Sequence, residues 1–470
     1  MRNESSSAES LYNEGCRLME SGDADAAELS FRKAIAINPG LAAAHTNLGL
    51  LLEQKGNLAE AEKEYRLSLS LNPEGGRTWL NLGVLLLGQK RLAEAEEAYR
   101  KSIALLPDFP PAWTNLGTLL ASLRRDDEAE VCLRQAIELD PQYRSGYFNL
   151  SYLLLRQGRF EEGWECFEKR DWYRHFEARI PCPRWRGESV AGKALLLVFD
   201  AGNGDMIQFC RYASVLKERG AKLVTVIGHP PLKRLFRTMD GVDFAYGFDE
   251  EILHVEADYW TPPLSIPYYC RTRLDSIPAR IPYLHADPEL VKKWAKRLSD
   301  LSAPGDLRVG LVWQGSRNFE NDADRSLPGL STLEPLGGVG GVRFLSLQKG
   351  AGEDDAALPP AGLPVVNLAS EIEDFADSAA IVSNLDLVIS VDTAMAHLTG
   401  ALGKPCWLLL PDYKTDWRWL DGRSDSPWYP GVMRLFRQHR MGEWVKVVEE
   451  VREVLETLVV SSPGRGNSPL

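Results

Sequence analysis

The stretch LDLVISVDTAMAHLTGALGKPCWLLLP, residues 385–411, decides the fold of the larger part of this chain. Residues 387–390 form a short apolar, β-branched run, and residues 406–410 form a second after Gly403, Lys404 and Pro405. Such runs suit parallel strands buried on both faces. Residues 393–402 between them fit one helix. A strand, a helix and a parallel strand in that order put the helix N-terminus at the carboxyl edge of a sheet, where open α/β folds bind ligands. The N–H groups of Thr393, Ala394 and Met395 would then face the crevice, a favourable place for an anion.

The same pattern extends to both sides. A strand at 309–313 is followed by Gln314, Gly315, Ser316 and a polar loop at 317–326; a strand at 342–347 ends in Gln348, Lys349 and Gly350. Both loops leave the carboxyl edge, so Arg325 and Lys349 are candidate cations on the side of Thr393. A helix at 374–384 leads into the central stretch. Upstream, a strand at 194–199, a turn from Asp200 to Gly204, a helix at 205–219 and a strand at 222–227 make a βαβ unit. It lacks GxGxxG, so a dinucleotide is not indicated. Asp205 and Asp392 each precede or open a helix and read either as functional carboxylates or as helix caps. Likewise, His397 reads as a site residue or a packed first-turn side chain. Trp407, Trp417, Trp419 and Trp428 could stack on a ligand or fill a core.

The N-terminal third is a repeat array. Pro39, Pro73, Pro107 and Pro141 recur every 34 residues, as do Gly15, Gly49, Gly83 and Gly117, and Ala27, Ala61, Ala95 and Ala129. Large residues follow in register: His45, Trp79, Trp113 and Tyr147, then Phe31, Tyr65, Tyr99, Leu133 and Phe167. This is the tetratricopeptide period, implying a solenoid of helix pairs whose concave face takes a protein or peptide partner. The fifth unit is atypical, with Ser151 in the glycine register and Gly163 in the alanine register; Trp164, Phe167, Trp172 and Tyr173 read as its docking surface.

Asp392-Thr393 before Ala394-Met395-Ala396-His397-Leu398 resembles the D-T-x-x-x-H-L signature of the heptosyltransferase-like glycosyltransferases of family 9, with Ala394 where that family usually carries glycine. Gly202-Asn203-Gly204-Asp205 is similar to the family's G-x-G-D element. The resemblance covers about residues 183–458. It implies a GT-B-like α/β domain of two Rossmann-like halves and an inverting, metal-independent transfer from a nucleotide sugar, with no further cofactor. Asp205 would be the general base, and Gly204, Arg325, Lys349, Asp392, Thr393, Ala394, Met395 and His397 would hold the donor. The competing reading is a non-catalytic repeat scaffold with a degenerate transferase domain.

Composition bounds these readings. The 470 residues predict two or three domains, and a net charge of −12, divided evenly between residues 1–170 and the rest, leaves no basic face for nucleic acid. No window is long and apolar enough to span a membrane, and the first residues lack a signal-peptide core, which predicts a cytoplasmic protein. Seven scattered cysteines signal neither a zinc site nor a disulfide framework. The expected order is a disordered start (1–7), four full repeats and one degenerate (8–175), a linker (176–193), the N-terminal Rossmann-like half (194–305), the C-terminal nucleotide-sugar half (306–460) and a disordered tail (461–470).

Overall fold

A computed structural model describes residues 2–250 and 257–461. The chain divides into two compact units, Met1–Leu153 and Leu154–Leu470. The first is a run of helix pairs: α1 (Arg2–Glu20) with α2 (Ala24–Ile37), α3 (Ala42–Gln54) with α4 (Leu58–Leu71), α5 (Gly76–Gly88) with α6 (Leu92–Leu105), and α7 (Pro110–Ser122) with α8 (Asp126–Leu139). Helix α9 (Arg144–Arg156) begins in this unit. Helix α1 occupies residues 2–7, which the sequence predicted to be disordered.

The glycine register has a steric cause. A Cβ on Gly49 would sit 2.8 Å from the Tyr65 ring, on Gly83 2.5 Å from Tyr99, and on Gly117 2.8 Å from Leu133. Each first helix therefore offers a gap that the large residue of its paired helix fills, and Tyr65, Tyr99 and Leu133 are fully buried. The proline register is explained as well. Trp79 Nε1 donates to the Pro73 carbonyl at 3.0 Å, Trp113 Nε1 to that of Pro107 at 2.8 Å, and His45 Nε2 lies 3.0 Å from that of Pro39. The ring near the start of α3, α5 and α7 thus ties each helix to the turn before it.

The second unit holds two parallel sheets. Strands β1 (Ala194–Val198), β2 (Leu223–Gly228), β3 (Phe244–Gly247) and β4 (Tyr259–Thr261) lie in the order β3-β2-β1-β4. Strands β5 (Leu307–Val312), β6 (Val342–Ser346), β7 (Val365–Asn367), β8 (Leu387–Val391), β9 (Cys406–Leu410) and β10 (Met433–Arg437) lie in the order β10-β9-β8-β5-β6-β7, again all parallel. In each sheet the strand order turns back beside the first strand, between β1 and β4 and between β5 and β8. A crevice opens at the carboxyl ends of strands at such a reversal.

The helices of this unit are α10 (Phe160–Phe167), α11 (Arg174–Glu177), α12 (Asn203–Phe209), α13 (Tyr212–Glu218), α14 (Lys233–Phe236), α15 (Ile266–Tyr269), α16 (Pro288–Ser299), α17 (Asp322–Arg325), α18 (Phe375–Ser383), α19 (Ala394–Ala401) and α20 (Trp444–Ser461). Helix α20 buries Trp444, Val447, Val448, Val451 and Leu455 in the core of the second sheet, the face its 3.6-residue pattern predicts. It includes Ser461, so the predicted tail is one residue shorter, and 462–470 lie outside the described residues.

Three further expectations change. The helix predicted at 205–219 is two helices, α12 and α13, separated at Cys210 and Arg211. Arg211 is 1% exposed; it donates to the carbonyls of Gln208 (2.8 Å), Pro278 (3.2 Å) and Trp428 (2.6 Å) and to the Tyr283 hydroxyl (3.0 Å). The predicted linker is packed structure: Trp185 N donates to Trp260 O at 2.8 Å, Trp260 N donates to Pro183 O at 3.1 Å, and the Trp185 side chain is buried. Prolines suggested a loop here, but the indole carries enough apolar surface to seat the segment against the first sheet. Finally, the second helix of the fifth repeat belongs to the second unit. In α10, Trp164 packs edge-on to Trp417 with centroids 5.2 Å apart, and Phe160 stacks on Trp428 at 6.1 Å. Trp164, Phe167 and Tyr173, read as a docking surface, are buried there, whereas Trp172 is exposed.

All seven cysteines are free thiols. Among the described residues, no helix is long and apolar enough to cross a membrane.

The glycine register yields a direct test. Alanine has the higher helix propensity, yet Gly83→Ala should destabilise the protein by roughly 1–3 kcal/mol, because the methyl meets the Tyr99 ring. Urea denaturation followed by circular dichroism reads this, and Gly88→Ala, where a Cβ meets nothing within 4 Å, is the control expected to be neutral or stabilising.

Candidate functional site

The turns after β1, β5 and β8 build the site. Helix α12 leaves β1 through Gly202, whose extended backbone serves as the N-cap, and Asp205 Oδ2 accepts the Gly202 N–H at 3.0 Å. Helix α19 leaves β8 through Thr393, which is its N-cap and makes no side-chain capping bond. Asp392, read as a cap from the sequence, lies one residue outside that position. Among the described residues, the amides of Ala394 and Met395 therefore have no acceptor.

The two helix N-termini meet at Gly204. A Cβ there would lie 2.9 Å from His397 Cδ2 and 3.4 Å from Ala394 Cα, so only glycine permits this approach. The structure thereby brings Asp205, Gly204, Ala394 and His397 together from sequence positions nearly two hundred residues apart.

His397 is 5% exposed. Its ring stacks on Trp419 at 5.2 Å, and Nδ1 shares a 2.9 Å hydrogen bond with the Tyr429 hydroxyl. Burial, and then the guanidiniums of Arg418, Arg211 and Arg325, hold it well below the usual imidazole range, so it is neutral. Among the described residues, no hydrogen bond reaches its Nε2. Asp392 moves the other way: burial, and then the Asp416 carboxylate, push it up to about 6 against the opposing pull of Arg325.

Arg325 is positioned by the folded polar loop after β5. Ser326 Oγ donates to Asp322 Oδ1 at 2.8 Å, Gly315 N donates to Ser326 Oγ at 2.8 Å, and the Arg325 guanidinium lies over Phe319 at 4.2 Å. Lys349 is not gathered in: its Nζ donates to Ala369 O at 2.6 Å, beyond β6, and its side chain is half exposed. The residue before it is the structural one. Gln348 Oε1 accepts the amides of Trp313 (2.9 Å) and Gln314 (3.0 Å), locking the end of β5 to the end of β6.

Two buried charged groups escaped the sequence reading. Arg418, 6% exposed, pairs with Asp205 through Nη2, grips both oxygens of Asp416 through Nη1 (3.0 and 2.9 Å) and donates from Nε to Gln208 Oε1 at 2.8 Å. Asp200, at the end of β1, is fully buried against Arg170 Nη2 at 2.8 Å; Arg170 also donates to Ser265 Oγ at 2.9 Å. Trp417, Trp419 and Trp428 are fully buried and Trp407 nearly so, which settles them as core. Among the described residues, no three His, Cys, Asp or Glu side chains converge as a metal site.

Models of the tetratricopeptide repeat family match residues 12–75 and 86–150, so the N-terminal region carries tetratricopeptide repeats. Protein FlbA of Caulobacter vibrioides is 28% identical over 331 residues, covering 64% of this chain and 53% of FlbA; the chain thus spans about half the length of that curated relative. Among solved structures, PilF of Pseudomonas aeruginosa is 21% identical over 38% of this chain and 87% of its own, with a TM-score of 0.34. MamA of Desulfovibrio magneticus RS-1 is 18% identical over 37% of this chain and 97% of its own, with a TM-score of 0.32.

The position of Asp392 makes stability depend on pH. Its carboxyl titrates higher in the folded chain than in the unfolded one, so its favourable contribution is full at low pH and is lost as pH rises through about 6. Asp392→Asn, which mimics the protonated form, should raise stability at pH 8 by on the order of 1 kcal/mol and change little at pH 4. Thermal melts of both proteins at the two pH values check the sign.

Proposed function

We propose that this chain is a glycosyltransferase of GT-B architecture that moves a sugar from a nucleoside diphosphate to an acceptor hydroxyl. The repeats would recruit a protein or glycan acceptor. One observation supports the reading: Arg418 holds Asp205 on α12, Gly204 beside it packs on Ala394 at the uncapped end of α19, and Arg325 acts on Asp392 just before that end, so a carboxylate, two amides and two guanidiniums are drawn toward one junction. In the transfer, the bond from the anomeric carbon to the acceptor oxygen forms as the bond to the phosphate oxygen breaks. The acceptor's proton goes to Asp205, and the electron pair leaves with the nucleoside diphosphate. Charge building on that leaving group is met by two amides and two guanidiniums. Lys349 has no part in this. A cytoplasmic location belongs to the same reading.

A second reading, a repeat scaffold whose transferase domain no longer turns over, draws on the engagement of Asp205. The Gly202 amide and Arg418 occupy one carboxylate oxygen each.

Two experiments separate these readings. UDP, ADP, GDP and CDP should be tested singly by calorimetry against wild type, Arg325→Ala and Ala394→Pro. Proline at the first helical position removes one amide without disturbing the helix, so each variant should bind the preferred nucleotide about tenfold more weakly at unchanged melting temperature. Equal affinity in all three proteins would move the donor elsewhere. With the matching nucleotide sugar, Asp205→Asn should lower turnover by about 100-fold or more, since an amide cannot take the proton. Deleting residues 1–140 should leave nucleotide binding intact and abolish transfer to a protein acceptor; undiminished transfer would make the repeats a spacer.

A further inference from the structure

We propose that Arg418 is a positioning residue shared between Asp205 and the donor diphosphate, so that donor binding releases the carboxylate for proton abstraction. The inference rests on the donor site described above and deepens it. Arg418 reaches Asp205 and Gln208 on α12 with Nη2 and Nε, and Asp416 in its own turn with Nη1. Its guanidinium also lies against the faces of Trp417 (4.6 Å) and Phe209 (5.5 Å). Trp419, the next residue, stacks on His397 of α19. Gly204, the residue before Asp205, packs closely on Ala394, so α12 carries the Asp205–Arg418 pair toward the uncapped end of α19.

Without donor, this geometry satisfies Arg418 with two carboxylates and leaves Asp205 poorly placed to accept a proton. A diphosphate on the Ala394 and Met395 amides adds a doubly acceptor-rich anion beside the same guanidinium. Arginine prefers bidentate oxyanion geometry, and Asp416 already holds the other side of its fork, so the Asp205 contact is the one to exchange. Asp205 then keeps only its bond to the Gly202 amide and turns a free oxygen toward the acceptor. The order of events follows: donor first, acceptor activation second, which keeps an unpaired carboxylate from forming in an empty cleft.

The proposal makes a signed prediction that a purely structural latch does not. If Asp205 and the diphosphate compete for Arg418, Asp205→Asn should tighten binding of the preferred nucleoside diphosphate by about fivefold, because a neutral amide holds the guanidinium less firmly than a carboxylate. In an Arg418→Gln background the same Asp205→Asn change should have no effect on affinity, and Arg418→Lys should restore only part of the coupling. Calorimetry on the full chain, with inorganic pyrophosphate as a second probe, reads all four proteins of the cycle. Unchanged or weaker binding by Asp205→Asn overturns the proposal while leaving the donor site standing, as does tightening that persists without Arg418. Failure of wild type to bind any of the four nucleotides or pyrophosphate overturns the donor site and this proposal together.

Discussion

The junction of α12 and α19 depends on a contact in which one side chain has to be absent. Gly204 lets the N-terminus of α12 press on the N-terminus of α19, and the positive ends of two helix dipoles are thereby brought face to face. Arg211, whose hydrogen bonds go to three carbonyls and a phenol with no carboxylate among them, adds a buried cation a short way beneath. Arg325 and Arg418 add two more. The carboxylates that answer this charge are Asp205 and Asp416 on Arg418, Asp322 on Arg325, and Asp392, the last itself driven toward its neutral form.

The aromatic core beneath it explains how so much charge is tolerated at so little exposure. Trp164, Phe209, Trp417 and Trp428 meet one another edge to face, and the planar guanidiniums of Arg211 and Arg418 lie against the same rings. Ring faces are weakly electronegative, and so they compensate part of the cost of removing an arginine from water. The tryptophans read from sequence as either ligand platforms or core are core, and they act on the crevice through the arginines they support.

How much of this was legible in the sequence follows from the range of each interaction. The repeats declared themselves because each glycine and the large side chain it faces are 16 residues apart in all four full units, so period alone exposes the packing. The four central strands of the second sheet, β9, β8, β5 and β6, showed through because burial leaves an apolar run. Arg418 did not: its partners Asp205 and Gln208 lie 213 and 210 residues away, and within its own segment it looks like one polar residue in an aromatic stretch. The short strands β7 and β10 were missed for a related reason, since three residues ending in Asn and five that include two arginines give no pattern before the sheet pairs them. Lys349 was assigned by its strand end alone, and strand ends do not say where a flexible chain of four methylenes will lie.

The split of the fifth repeat has an evolutionary and engineering meaning. Helix α10 is built into the aromatic core of the second unit, and Arg170 just beyond it neutralises Asp200 at the end of β1. The joint between the two modules therefore falls inside a repeat, and the α/β unit carries its own half-repeat as a fitted socket. Arrays of different length or specificity can be exchanged by whole 34-residue steps upstream of that socket, and recombination that cuts at the apparent end of the array would strip the α/β unit of part of its own interior.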